Sequence, residues 1–393
     1  MLSASRTATG GLSSRPGHNR STGHLGEPAI SYSRPAVAKG WALLADLPRL
    51  TTLCLRGCAN FNDAALKPLK LTQLELRGTQ VSGAGLRVAC LAQLVELVIE
   101  LLWLEGDLFA ACSLQALTLV GCKIPRRLFR RLSTTLEKLE LEDCEIFSQM
   151  AELVPLPVRS LKIDARFAAS YNFEHLVRLT ALRVLHLPEV LFQDNKFELL
   201  VRALSSLETL NVRDSNVTNG QLQTLSQALP GLLWLDISNT LVTTLASLPQ
   251  ALRTLLACGL PVYHSELKLS ELHLDGTADL VVHEKLRVLH LSYNETVCVA
   301  LPHGLRSALA LQELTVVNLR KNAYPPLDLE AIMELPMLEN LTLSRRWMTD
   351  DRQLARLRSR LASVQLIPIS SHKVVRSPAQ WWWRNGKQWR RNE

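Results

Sequence analysis

The sequence predicts an α/β solenoid, with short strands stacked in parallel and helical or irregular segments crossing back between them. Three observations predict it. One pattern, L-x-x-L-x-L-x-x-[C/T/S/N], recurs along most of the 393 residues. Within it, the L-x-L alternation puts two leucines on one face of a short strand and their neighbours on the other. A single such strand cannot bury its leucines alone, so successive copies must stack side by side. Finally, two of the connections carry helical spacing: Phe197, Leu200, Val201 and Leu204 in one, Leu222, Leu225 and Leu229 in the other.

Taken in order, the pattern opens as Leu50-Thr-Thr-Leu53-Cys-Leu55-Arg-Gly-Cys58 and continues through Leu71, Leu74, Leu76 and Thr79. Further copies begin at Leu94, Leu114, Leu136, Leu182, Leu207, Leu232, Leu269, Leu286, Leu311 and Leu338, with weaker ones at Val158 and Leu252. That makes fourteen starts, 17 to 27 residues apart. The two shortest intervals, 252 to 269 and 269 to 286, leave room only for short, non-helical connections unless one repeat is out of register.

The chain resembles the leucine-rich repeat family over about residues 48–366, on this repeated L-x-x-L-x-L core. The resemblance implies a horseshoe with a parallel concave β-sheet and a convex side of helices and irregular turns. It also implies that the ninth residue of each repeat turns inward and bonds the backbone as the strand ends. Cys58, Cys122 and Cys144 fall there, as do Thr79, Ser215, Thr240, Thr277 and Asn294, so these cysteines read as structural. The irregular, cysteine-containing repeats are similar to leucine-rich repeat proteins of trypanosomatid protists, some of them mitochondrial.

Composition bounds the function. The net charge of +8 is unevenly placed: residues 1–40 carry +4 and residues 372–393 carry +5, leaving −1 between them. The expected organisation is therefore an N-terminal segment 1–40, disordered or transit-peptide-like, a repeat domain 41–371, and a basic tail 372–393. No membrane span is expected, since the most apolar stretch, Val88–Leu104, carries Gln93, Glu96 and Glu100. Eight cysteines without a C-x-x-C pair argue against a disulfide scaffold or a zinc knuckle. There is no phosphate loop, nucleophile elbow or H-E-x-x-H motif. No cysteine follows Cys298, which removes the nucleophile that a C-terminal ubiquitin-ligase domain would need. The chain reads as a non-enzyme that needs no cofactor.

The third, fifth and seventh positions of each repeat form the concave face, which the resemblance implies is the partner surface. Lys138, Glu140 and Glu142, with Glu96 and Glu100, make its early part mixed to acidic. Its later part offers Asn211, Arg213, Trp234, Asp236, His273, Asp275 and His290 as candidate protein-binding residues. Trp234 has the character of an interface anchor; packing against its neighbours is the other reading. His273 and His290 share the fifth position on strands about 5 Å apart, with Asp275 two residues from His273. That arrangement suits a metal or pH-sensitive site, or simply a solvated polar sheet. The pattern fixes no third strong ligand, so no metal is assigned.

The two ends add alternatives. Before Glu27 the chain has three arginines, eight serines or threonines and no acid, the composition of a mitochondrial transit peptide or of a plain disordered tail in a cytoplasmic protein. The C-terminal segment gathers Trp381, Trp382, Trp383, Arg384, Lys387, Trp389, Arg390 and Arg391. Basic residues attract phosphate and tryptophans offer stacking faces, so the tail suits RNA within a ribonucleoprotein. It equally suits a protein groove, a membrane interface, or the open end of the solenoid, which needs a cap. Arg345, Arg346, Arg352, Arg356, Arg358 and Arg360 lie just upstream. The function expected first is a protein-binding scaffold, and second a component or assembly factor of a mitochondrial ribonucleoprotein.

Overall fold

The structure is a computed structural model that describes residues 29–32, 41, 44, 47, 49–66, 69–88, 93–100, 104, 108–109, 112–124, 128–129, 132, 134–146, 156–163, 173–260, 269–275, 285–293, 305, 308–318, 329–345 and 351–367. The chain divides into two compact units, one through Leu187 and the other from Pro188.

In the first unit, among the described residues, eight strands run parallel: β1 (Ala29–Tyr32), β2 (Thr52–Arg56), β3 (Gln73–Arg77), β4 (Glu96–Glu100), β5 (Ala116–Val120), β7 (Lys138–Glu142), β9 (Ser160–Ile163) and β10 (Val184–His186). β6 (Lys123–Ile124) pairs with β8 (Glu145–Ile146) as a second, two-residue ladder. Three short helices occupy connections: α1 (Asp63–Leu66), α2 (Gly83–Val88) and α3 (Phe173–Leu176). β1 falls inside the segment read from composition as an N-terminal extension; it adds a strand to the edge that β2 would otherwise leave open.

The second unit repeats the scheme with β11 (Thr209–Asn211), β12 (Trp234–Asp236), β13 (Thr254–Ala257), β14 (Glu271–Asp275), β15 (Val288–Tyr293), β16 (Glu313–Asn318), β17 (Asn340–Ser344) and β18 (Ser363–Ile367), all parallel. Its helices are α4 (Lys196–Ala203), α5 (Asn219–Ala228), α6 (Leu329–Met333) and α7 (Asp351–Arg360). α4 and α5 are the two helices that spacing predicts, and they bury Phe197, Leu200, Val201, Leu222 and Leu225. α5 begins at a capping box in which the Thr218 amide donates to Gln221 Oε1 at 3.1 Å.

The repeat register is the one the leucines specify. Leu53, Leu74, Leu97, Leu117, Leu139, Leu161 and Leu185 pair in one column of the first unit. Leu210, Leu235, Leu255, Leu272, Leu289, Leu314 and Leu341 do so in the second. The residue opening each of the fourteen repeats is also buried. The short intervals stay in register, since Leu255, Leu272 and Leu289 pair directly; residues 261–268 and 276–284 of the connections lie outside the described residues. A recurrent bond sets this spacing: the carbonyl of the second residue accepts from the second and third amides of the next repeat. Arg253 and Ser270 accept in this way across the two short intervals, at 2.9–3.0 Å. Together these features make the fold an α/β leucine-rich repeat.

Eight of the repeats close their strand with a turn that the leucine pattern does not advertise. The eighth residue is left-handed at Gly57, Gly78, Gly121, Asp143, Glu189, Asp214, Asn239 and Gly259, with φ between 52° and 72°. Glycine, aspartate and asparagine tolerate that region best, which accounts for seven of these eight residues. The ninth residue then points inward at Cys58, Cys122, Cys144, Ser215 and Thr240, while Thr79 is only half-buried. Cys122 Sγ donates to the Val120 carbonyl at 3.3 Å, Cys144 to those of Leu119 and Glu142 at 3.3 Å each, and Thr240 Oγ1 to that of Ile237 at 2.8 Å. The Cys144 thiol is pushed far up by its hydrogen bond with Cys122 and by burial, and burial raises Cys112 to about 11. Such thiols do not ionise near neutral pH and are poor nucleophiles. Thr277 and Asn294 lie outside the described residues.

Candidate functional site

The face opposite the leucines is built from the third, fifth and seventh positions, and its charges differ between the units. In the first, Glu75 on β3 accepts from Arg56 Nε at 2.7 Å and Arg56 Nη2 at 3.0 Å, and from Cys54 Sγ at 2.9 Å. Arg77 Nε stands 3.1 Å from the same carboxylate. Burial pushes the Glu75 carboxyl upward, but the Arg56 and Cys54 donors and the Arg77 charge outweigh it and leave the group below the ordinary range. Glu142 on β7 takes Lys162 Nζ at 2.9 Å and Arg77 Nη1 at 3.1 Å, and Lys138 stands 3.1 Å from Glu140. The mixed and acidic charge read from the sequence is thus largely paired within this face.

In the second unit the candidate residues fall into two groups. Asn211 and Asp236 occupy the fifth position of β11 and β12 and are buried. Each side chain accepts from the amide two residues on, Asn211 Oδ1 from Arg213 and Asp236 Oδ1 from Ser238, both at 3.0 Å. Both strands end at that residue, as expected where an Asx side chain captures a backbone donor. Burial raises the Asp236 carboxyl despite its bonds to Ser238 and the Arg213 charge. Arg213, also buried, lies 3.5 Å from Asp214 through Nε, while its Nη1 has no hydrogen-bond partner. Trp234, in the third position of β12, is half-buried between Thr209 and Thr254 in register.

The second group is centred on the histidines. His273 and His290 pair across β14 and β15, with ring centroids 4.1 Å apart and planes within 9° of parallel. Both are buried. His273 Nε2 lies 2.8 Å from Glu271 Oε1, and His290 Nε2 lies 3.8 Å from Glu313 Oε1. Burial, and then the neighbouring His273, hold the His290 imidazole well below its ordinary range. Burial and Glu271 together raise the Glu313 carboxyl, against a lowering by His273. The two glutamates share the third position with Val288 between them. The ring meets Glu271, two residues before it, on the opposite side in sequence from the Asp275 that spacing also offers. Glu271 and Asp275 flank His273 symmetrically at two residues each, so spacing alone could not choose between them. The side chain of Asp275 lies outside what is described.

α7 presents Arg352, Arg356, Arg358 and Arg360 as exposed side chains; Arg356 reaches Glu330 at 3.0 Å and Arg360 donates to the Leu335 carbonyl at 2.9 Å. The tail candidates Trp381, Trp382, Trp383, Arg384, Lys387, Trp389, Arg390 and Arg391 lie outside the described residues, as do residues 1–28. Among the described residues, no helix is long and apolar enough to cross a membrane.

No family model and no curated protein matches the sequence. Solved structures similar to the chain include an internalin (inlF) from Listeria monocytogenes str. 4b F2365, at 19% identity over 84% of this chain and 94% of that one, with a TM-score of 0.43. Another is a TLR13–ssRNA13 complex, at 16% identity over 89% of this chain and 63% of that one, with a TM-score of 0.35.

Proposed function

We propose that the chain is a non-enzymatic protein-binding scaffold whose contact surface is the non-leucine face of β11–β15, anchored by Trp234. The observation that carries this reading is the setting of that side chain: a half-buried indole standing between two threonines. An aromatic that is already partly ordered offers large contact area at low entropic cost. Arg213 and Asp236 form a buried polar floor in the same unit, which suits a contact needing orientation as well as area. Trp234→Ala is expected to weaken partner binding by about 2 kcal/mol or more, ~30-fold in Kd. Leu199→Ala, at an exposed position on α4, serves as the control in a quantitative pull-down. A Trp234→Ala protein that folds and keeps every partner at wild-type strength contradicts the assignment.

A second reading rests on the tail, where four tryptophans accompany six basic residues in 372–393. It makes the chain a component or assembly factor of a ribonucleoprotein, gripping RNA through Trp381–Trp383, Arg384, Lys387, Trp389, Arg390 and Arg391. The Arg- and Ser/Thr-rich composition before Glu27 supports import into mitochondria. Deleting residues 372–393 is expected to lower affinity for single-stranded RNA and to flatten its salt dependence by about 0.7 per lost phosphate contact. An unchanged slope removes this reading.

A further inference from the structure

We infer that Glu271, His273 and His290, with Glu313 in reach, form a binding site for one divalent transition-metal cation of the zinc type. The donor atoms of Glu271, His273 and His290 lie within 4.8 Å of one another. Ligands around a tetrahedral ion with bonds near 2.0–2.1 Å stand about 3.3–3.5 Å apart. The set therefore closes with side-chain rotations and no strand movement. The parallel imidazoles must tilt towards each other for both Nε2 lone pairs to meet one ion, and the terminal torsion of histidine is soft enough to allow it.

The chemistry of the donors selects the ion. Two imidazole nitrogens with one or two carboxylate oxygens suit zinc and its neighbours, whereas calcium and magnesium prefer all-oxygen sets. Charge supports the same choice, because Glu271 and Glu313 flank the pair of rings and a dication neutralises two carboxylates that otherwise repel each other. There is also a route in. The imidazoles are buried, while the carboxylate side chains of Glu271 and Glu313 remain 24% and 30% exposed, so the acids face the solvent from which the ion arrives.

The location gives the ion something to do. It would tie β14, β15 and β16 together, in the stretch that contains one of the two shortest repeat intervals, the 17 residues from 269 to 286. A metal clip across the strands would add cohesion at an interval too short in sequence for a long convex segment.

The test uses the full chain, stripped with a chelator and titrated with zinc chloride by calorimetry and by thermal melting. The expected result is one tight equivalent that raises the melting temperature with zinc concentration. His273→Gln with His290→Gln is expected to remove that equivalent. Glu271→Gln, which keeps size and exposure, is expected to weaken it by at least the ~10–100-fold that loss of a mere supporting group costs a metal site. Should the histidine pair variant melt below the metal-free wild type, Glu271→Gln alone decides the matter. Zinc binding of unchanged strength and stoichiometry in Glu271→Gln, or no tight equivalent in the wild type, overturns the site.

Discussion

Replacing Glu142 by alanine is expected to destabilise the protein by about 3–5 kcal/mol, the range for breaking a buried ion pair from one side. Glu142 takes Lys162 Nζ at 2.9 Å and Arg77 Nη1 at 3.1 Å, and the Lys162 side chain is only 7% exposed. Alanine leaves that ammonium buried on β9 without its nearest carboxylate, in surroundings where hydration cannot make up the loss. The double change Glu142→Ala with Lys162→Met is expected to recover most of the stability, since the uncompensated charge goes with its partner. Urea unfolding followed by circular dichroism measures both. A loss below about 1 kcal/mol for the single variant contradicts the arrangement.

Leu235→Ala is expected to cost about 2–5 kcal/mol, the range for removing a fully buried leucine side chain. Leu235 sits between Leu210 and Leu255 in the leucine column and is completely inaccessible. Because repeats are stabilised by their neighbours, the damage is expected to spread to β11 and β13 before more distant strands. Hydrogen exchange should find amide protection lost first there. Leu235→Met, which nearly conserves volume, is expected to cost less than about 1.5 kcal/mol. Equal costs for the two substitutions would mean that the column is not packed as described.

Much of this architecture is legible in the sequence because it depends on one-dimensional periodicity. The spacing of Leu252, Leu269 and Leu286 fixed the register even where the interval shrinks, since burying L-x-L on one face admits no one-residue slip. The helices at Phe197 and Leu222 follow from 3.6-residue spacing for the same reason. What spacing leaves open is the choice among equivalent neighbours. Glu271 and Asp275 stand equally far from His273 in sequence, and spacing does not reveal that Glu271 and Glu313 meet the rings. Asn211 and Asp236 share the polar column of the partner face, yet their oxygens serve the amides of Arg213 and Ser238. An Asx at the last residue of a strand, its side chain taking the amide two residues on, is a local signal that a leucine count overlooks. The left-handed eighth residue is half visible, as a glycine at Gly57, Gly78, Gly121 and Gly259, but is carried by Asp143, Glu189, Asp214 and Asn239 elsewhere. Ala29–Tyr32 reads as extension by composition and becomes a strand only because β2 offers it an edge.

The scaffold reading is tested most directly by placing a photo-crosslinking amino acid at position 234 and, in a parallel protein, at position 199 on the exposed side of α4, within the native cell. A discrete protein adduct is expected from position 234 and none from position 199. Adducts from position 199 alone, or from neither, would contradict it.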